Sequence, residues 1–464
     1  MKRRKFGLTA GISAAALALG LPGRARAGVS QAQADQLKTT LTPMGAEKAG
    51  NADGSIPAWT GGYTEIPAGW SSPALMPDMF ANEQPILTIN AANMSQYADK
   101  LPESVKIFMQ QRGYSIVVYP THRTAAAPQY VYDNIYQNAL NAQAVPGGPR
   151  FGFTNAYGGV PFPILDPDPS IAGAQVLQNH NFRWFGWHIH YNNGSYAMSH
   201  GQLTSVLDDD FGQVTAYYDP NGSVATFDGI YSKAFYNPIG PANAVGANII
   251  VWDSTNSLKF PDSGWELLTG QGRVRRIPEI QYDVPDSSVD GIVTYDEAFA
   301  FLGAENEFDW NLIGKKEMYV PYNNNRTNFV ETSDYLPHFL SPDLVRWELH
   351  RCWVVEATLA AGSRNILPKR RFYVDEDTWT VLVTDEYDAN GNFWRSTQIF
   401  VVVRPDLPGT VQQMYTTLDI QGDSYITSFT PRLDLPPSQR IQDYVSVLPP
   451  SSFNPQDMAA RASF

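Results

Sequence analysis

The sequence predicts a mainly β protein with some helix, built on one large antiparallel sheet with an extended and helical N-terminal addition. Two observations predict it. From about Phe182 onward, short alternating apolar and polar runs recur between Gly, Asn and Asp breaks. Aromatic residues make up 12% of the chain, mostly Tyr and Phe, which suits half-buried sheet surfaces. No internal repeat or low-complexity linker interrupts the pattern, so one large domain is the simplest organisation for the 464 residues.

The first 27 residues read as an export leader. "MKRRKF" is basic, "GLTAGISAAALALGL" is a short apolar run, and "ARA" at Ala25–Ala27 is a small-x-small cleavage site. The run is shorter than the ~20 residues a membrane-spanning helix needs. Arg3, Arg4 and Phe6 fit the twin-arginine pattern, with ordinary secretion as the alternative. No Cys follows the cut, which argues against a lipid anchor. The expected location is therefore the periplasm, with the mature chain starting at Gly28.

Removing the six basic leader residues takes the formal net charge from −13 to −19. Such a chain repels nucleic acid and anionic membrane surfaces, and neither is expected as a partner. Cys352, the one cysteine, cannot form an intramolecular disulfide, and "HRCWVV" reads as a buried strand holding an inert thiol.

After the leader, "VSQAQADQLK" starts a short helix. "NADGSIPAWTGGYTEIPAGW" is dense in Gly and Pro and reads as an extended arm. "TINAANMSQYADKLPESVKIFMQQR" has helical spacing with Asn90 as N-cap, and "YVYDNIYQNALNAQ" reads as a second helix. Residues 28–110 are expected to form this arm, and 111–464 the β-rich domain. Strands follow at "QLTSVLDDDFGQV", "ANIIVWDS", "GRVRRIPEIQYD", "KKEMYVPYN" and "RWELHRCWVVEATL".

"RRFYVDEDTWTVLVTDEYDANGNFWR" is the most patterned stretch. It predicts a three-strand meander with turns at Glu376–Thr378 and at Asn390-Gly391. Asp375 and Asp377 bracket the first turn, where Asp caps its own backbone. An EF-type calcium loop anchored on Gly391 would need Glu at position 397, which is Thr. The acids thus read as turn and scaffold residues before any chemistry.

The same residues carry a resemblance. "SPDLVRWELHRCWVVEATLAAGSRNILPKRRFYVDEDTW", "EYDANGNFW", "GNADGSIPAWTGG", "YPTHRTAAAPQYVYDN", "AYGGVPFPI" and "FDWNLIGKKEMYVPYN" closely resemble domain-of-unknown-function family 1329 (DUF1329). These are exported Gram-negative proteins often labelled outer-membrane lipoprotein-sorting proteins. The resemblance implies a LolA/LolB-like fold: an incomplete antiparallel β-barrel, or half-barrel, with covering helices and an apolar cavity between them. It also implies association with a resistance-nodulation-division type exporter and an outer-membrane protein. No catalytic residues come with it. Family members often read Arg-His where this chain has Arg364-Asn365.

Other signals are weaker. His188 and His190 would share a strand face, as a metal pair does, with His200 returning after a turn at Asn192–Ser195. Hydrogen-bonded or exposed histidines are the plainer reading, as for His122, His180 and His350. Arg273 and Arg275 share a strand face and Arg276 opposes them, for salt bridges or an anionic head group. No Gly-x-Ser-x-Gly elbow, Walker loop or His-Glu-x-x-His motif is present, and no cofactor is expected.

The function these readings favour is a periplasmic carrier of a hydrophobic small molecule, lipid or terpenoid-like. Trp353, Tyr373, Trp379 and Trp394 are the expected cavity lining, with Arg371 at the head group. The alternatives are a periplasmic hydrolase or metal-dependent enzyme, and a structural adaptor of an envelope complex.

Overall fold

The computed structural model describes residues 28–458 except 257, 258, 260, 261, 268–271, 278–281, 287, 288 and 290. The leader lies outside the described residues. Among them, no helix is long and apolar enough to cross a membrane.

The chain opens with α1 (Gln31–Ala34), closed at its start by a capping box between Ser30 and Gln33. Residues 51–85 then hold neither helix nor strand. β1 (Leu87–Ile89) follows. The helix expected from Asn90 begins instead at Glu103, as α2 (Glu103–Arg112). Pro102 explains the difference. It forces Leu101 into an extended conformation (φ −110°, ψ 132°) and so bars a continuous helix across it. Asn90 caps only a local turn, accepting from the Ala92 N–H.

Next come β2 (Ile116–Val118), α3 (Gln129–Asn141), the small pair β3 (Gln143–Ala144) and β4 (Phe153–Thr154), and α4 (Pro169–Asn181). Asp168 caps α4, Pro169 starts it, and every residue from Ala172 to His180 is buried. A Cβ on Gly173 would lie 2.7 Å from the Asn311 backbone nitrogen, so glycine lets this helix press directly on a strand.

The remaining strands are β5 (His188–Ser199), β6 (Gln202–Val214), β7 (Ile230–Gly240), β8 (Asn248–Ser254), β9 (Ser263–Leu267) and β10 (Val274–Arg276). Then follow β11 (Phe308–Pro321), β12 (Arg346–Leu359), β13 (Lys369–Asp375), β14 (Val381–Tyr387) and β15 (Phe393–Arg404). β16 (Gly409–Asp419), β17 (Ser424–Pro431) and β18 (Gln442–Asp443) complete the set.

These strands make one large, mostly antiparallel open sheet. Its main run is two meanders, β11 through β17 and β5 through β10, joined where β17 pairs with β5. Among the described residues no pairing joins β10 to β11, so those strands are open edges. β2 adds to β12 in parallel, with Val118 opposite Trp347, and β18 adds to β5. β14, β15 and β16 are buried on nearly every residue because elements cover both sheet faces. Residues of the N-terminal arm, including Leu37, Ile89, Leu101 and Phe108, belong to the same core cluster as the strands.

Two turns differ from expectation. Asn192–Ser195 lies inside β5, laddered onto Asp210–Leu207. The hairpin turn is His200-Gly201, both at positive φ (48° and 74°), so His200 does not return on the next strand. At the second turn of the acidic stretch, Gly391 takes positive φ (79°) but Asn390 does not. Asp388 holds that loop, its carboxylate accepting from the N–H groups of Asn390 and Asn392.

Candidate binding groove

Strand alternation puts His350, Cys352, Val354 and Glu356 on one face of β12. Across β13, Asp375 stands opposite Cys352, Tyr373 opposite Val354, and Arg371 opposite Glu356. Across β11, Met318 stands opposite His350, Lys316 opposite Cys352, and Gly314 opposite Val354. One sheet face thus runs from a buried polar end, through an apolar middle, to an ionic end.

The polar end is a closed charge network. Asp375 Oδ2 accepts from the Thr378 N–H (2.9 Å), the Thr378 hydroxyl (2.8 Å) and the Tyr322 hydroxyl (3.2 Å). Arg123 donates to both oxygens of Asp377, at 2.8 and 2.7 Å. His350 Nε2 lies 3.1 Å from Glu348, and Nδ1 lies 3.6 Å from Asp375. Burial, and then the Asp377 charge, push Asp375 up to about 6. Burial alone would lower His350, but the Glu348 hydrogen bond and the surrounding carboxylates raise it above the ordinary imidazole value. Burial, then the nearby acids, hold the Cys352 thiol well above its usual range.

Ligand atoms of His350, Asp375 and Asp377 lie within 4.8 Å of one another, a spacing compatible with a metal ion. Most of the donors are already engaged. Both Asp377 oxygens take Arg123 and Asp375 Oδ2 takes three donors, while Asp375 Oδ1, 3.6 Å from His350 Nδ1, is buried without a hydrogen-bond partner. His188 and His190 do not form such a group among the described residues. His190 bonds Asp210 at 2.7 Å, and His188 Nδ1 accepts from the Leu448 N–H.

The apolar middle is buried beneath a small groove. A cavity of about 220 Å³ lies between the segment Ala98–Lys106 and the sheet. Leu101, Met318, Val354 and Tyr373 form its buried floor. A β-bulge between Leu312 and Gly314 leaves Ile313 without a ladder partner and 47% exposed at the rim. Lys106, Lys316 and Arg371 supply the cations, Asp99 and Glu103 the acids. The Tyr373 hydroxyl donates to Asp385 at 2.7 Å, and Asp385 also accepts from the N–H groups of Glu103 and Ser104 at the start of α2. That contact fixes the helix against the floor. A second, shallower groove, about 440 Å³, is lined by Ile107, Gln111, Asn392, Phe393, Ile420 and Gln421.

The family described as "Protein of unknown function (DUF1329)" matches residues 88–458. The chain belongs to the DUF1329 family. It is 38% identical over 413 residues to "Uncharacterized protein PA3922" of Pseudomonas aeruginosa, covering 85% of this chain and 86% of that one. A crystallised DUF1329 family protein from Desulfovibrio piger is 16% identical, with TM-score 0.43, over 63% of this chain and 99% of that chain. A LolA superfamily protein, NE2245 from Nitrosomonas europaea, is 8% identical, with TM-score 0.32, over 61% and 97%.

In this DUF1329 protein, Arg371 and Tyr373 line the groove, but the three predicted tryptophans do not. Trp353 falls on the opposite face of β12 because it is one residue out of phase with Val354. There it lies under the Lys315 ammonium, 4.4 Å from the ring centroid, and stacks on Trp379. Trp379 sits in the turn before β14, fully buried, and its indole N–H donates to Met44 O. Trp394 donates to Asp419 at 3.1 Å with the Arg395 guanidinium over its ring. All three are held by contacts within the protein and lie outside this groove. Sequence reasoning missed Leu101, Lys106, Ile313, Lys316, Met318 and Val354. The available signal was "LIGKKEM", where a glycine interrupts strand alternation just before two lysines.

Proposed function

We propose that this protein is a periplasmic carrier of a hydrophobic small molecule, working with an envelope exporter and an outer-membrane partner. The observation that carries the reading is the groove of about 220 Å³ between Ala98–Lys106 and the sheet, at whose base the buried side chains of Leu101, Met318, Val354 and Tyr373 meet. The open sheet, in which β10 and β11 are not paired to each other among the described residues, suits a half-barrel scaffold. The leader sequence and the family resemblance support the periplasmic setting.

The chemistry is reversible burial. Each buried methylene contributes about 0.8 kcal/mol, so a short alkyl segment gains several kcal/mol without any covalent step. Loading and release then depend on which partner offers the drier surface. The test is mass spectrometry of organic extracts from mature protein purified out of its native periplasm. One specific lipophilic compound near one per protein supports the carrier. An empty extract together with no binding of lipophilic probes overturns it and moves the assignment to an envelope adaptor. Metal analysis of the same preparation tests the enzymatic alternative, since stoichiometric metal would point to His350, Asp375 and Asp377.

A further inference from the structure

We propose that the turn between β14 and β15 is a site of self-modification, at which Asn390 converts to aspartate and isoaspartate through a cyclic imide. The chain holds three Asn-Gly pairs, Asn193-Gly194, Asn221-Gly222 and Asn390-Gly391. The reaction needs the asparagine side chain to swing onto the next backbone nitrogen, and a following glycine puts no side chain in its way. The Gly391 nitrogen attacks the Asn390 side-chain carbonyl carbon and closes the imide. The proton it loses leaves with the amide nitrogen as ammonia. Water then opens the ring. Cleavage at the former side-chain carbonyl gives aspartate, and cleavage at the main-chain carbonyl gives isoaspartate, with the chain rerouted through an extra carbon. Nothing is oxidised or reduced, and water is the sole co-reactant.

The structure separates the three pairs. Asn193 and Gly194 are buried inside β5, laddered to Asp209 and Asp208 on one side and to Pro431 and Thr430 on the other. They cannot turn without breaking the sheet. The other two pairs share a turn chemistry. Asp219 Oδ1 accepts from the Asn221 N–H and Asp388 Oδ1 from the Asn390 N–H, both at 2.9 Å. The glycine N–H donates to the Asp219 carbonyl in one and to the Asp388 carbonyl in the other, both at 3.0 Å. What lies behind the glycine differs. A Cβ on Gly222 would fall 1.8 Å from the Tyr157 hydroxyl, which itself donates to the Asp219 carbonyl at 2.9 Å, so that turn is seated on a buried tyrosine. A Cβ on Gly391 would meet nothing within 4 Å. Asn390 is exposed, and its side-chain amide makes no hydrogen bond among the described residues. Its peptide bond to Gly391 therefore rotates at the cost of little more than the Gly391–Asp388 hydrogen bond.

The change reaches into the fold. The Asp388 carboxylate holds Asn390, Asn392 and Gln421, and the turn leads into Phe393, which meets Phe108 of α2 edge-on at 6.3 Å. Isoaspartate lengthens the turn that sets this spacing, and either product stands a new carboxylate beside Asp388.

The experiment incubates the folded mature protein in mildly alkaline buffer, digests it in acid to stop the reaction, and maps converted asparagines by peptide mass. An isoaspartyl methyltransferase with a labelled methyl donor measures isoaspartate. The urea-unfolded chain is the reference, since all three pairs are free there. The folded protein is expected to convert Asn390 about tenfold faster, or more, than Asn193 and Asn221, while the unfolded chain converts the three at similar rates. Asn390→Gln, whose side chain has no hydrogen bond to lose, should remove the isoaspartate label from the folded protein. Conversion led by Asn193 or Asn221 overturns the assignment. So does a folded protein that keeps Asn390 intact while the unfolded chain converts it, or a label that persists in Asn390→Gln.

Discussion

Arg370 and Glu386 stand directly opposite each other on β13 and β14, yet they do not bond. Arg370 turns to Asp296, and Arg395, the partner of Glu386 on its other side, turns to Glu297 and Asp419. The segment Tyr295–Ala300 thus draws both arginines away from the carboxylate between them. Neither oxygen of Glu386 has a hydrogen-bond partner among the described residues.

Burial, and then the Glu297 charge, push Glu386 well above the usual carboxylate range. A carboxyl raised in the folded state contributes stability below its unfolded pKa and loses it as pH rises through the folded value. Glu386→Gln removes that loss. Thermal melts of the variant and the unaltered protein should therefore diverge as pH rises from about 4.5, with the variant gaining. A constant difference across pH would show that Glu386 is not held protonated.

Asp296→Asn removes the partner of a fully buried guanidinium, a change that ordinarily costs about 3–5 kcal/mol. Here Arg370 has Glu386 within reach as a substitute. The single variant should therefore lose less than that range, while Asp296→Asn with Glu386→Gln should lose more than the two changes added separately. Urea unfolding of the four proteins in the cycle gives the coupling, expected at 1 kcal/mol or more. An additive cycle would refute the exchange of partners.

Arg123 joins Asp377 to the N-terminal arm, since it also donates to the carbonyls of Glu47, Lys48, Ala49 and Pro57. Asp377→Asn should loosen that grip. Amide hydrogen exchange should accelerate selectively across residues 47–57, ahead of the β14–β16 strands. Uniform acceleration would mean instead that the whole sheet depends on the pair.

His350 is raised by Glu348 and Asp375, so its contribution to stability is full below the ordinary imidazole value and declines as pH rises through the folded one. Replacing it with Asn should cost more at pH 5.5 than at pH 8.5. Equal costs at both pH values, measured by urea unfolding, would mean that His350 is neutral throughout.

Local chemistry made much of the fold readable. "RWELHRCWVVEATL" is β12 residue for residue, and the acidic stretch is the β13–β15 meander. The start of α2 was legible too, through Pro102, but its helical periodicity upstream obscured it. The groove was legible only in part. Arg371 and Tyr373 share the parity of a β13 face, which alternation gives. Trp353 needed the phase of β12 relative to Val354, and Lys316 needed the pairing of β11 with β12. Both are long-range facts that no single segment contains.

The junction of β17 with β5 has a consequence for synthesis. Ser199 must wait for Ser424, about 225 residues later in the chain. At roughly 5–20 residues per second, the β5 edge emerges from the ribosome about 10–45 s before its partner exists. Throughout that interval a twelve-residue strand offers free backbone groups to any neighbouring chain. The edge of β5 that later receives β17 is thus the first place where two nascent chains would pair with each other instead of with themselves.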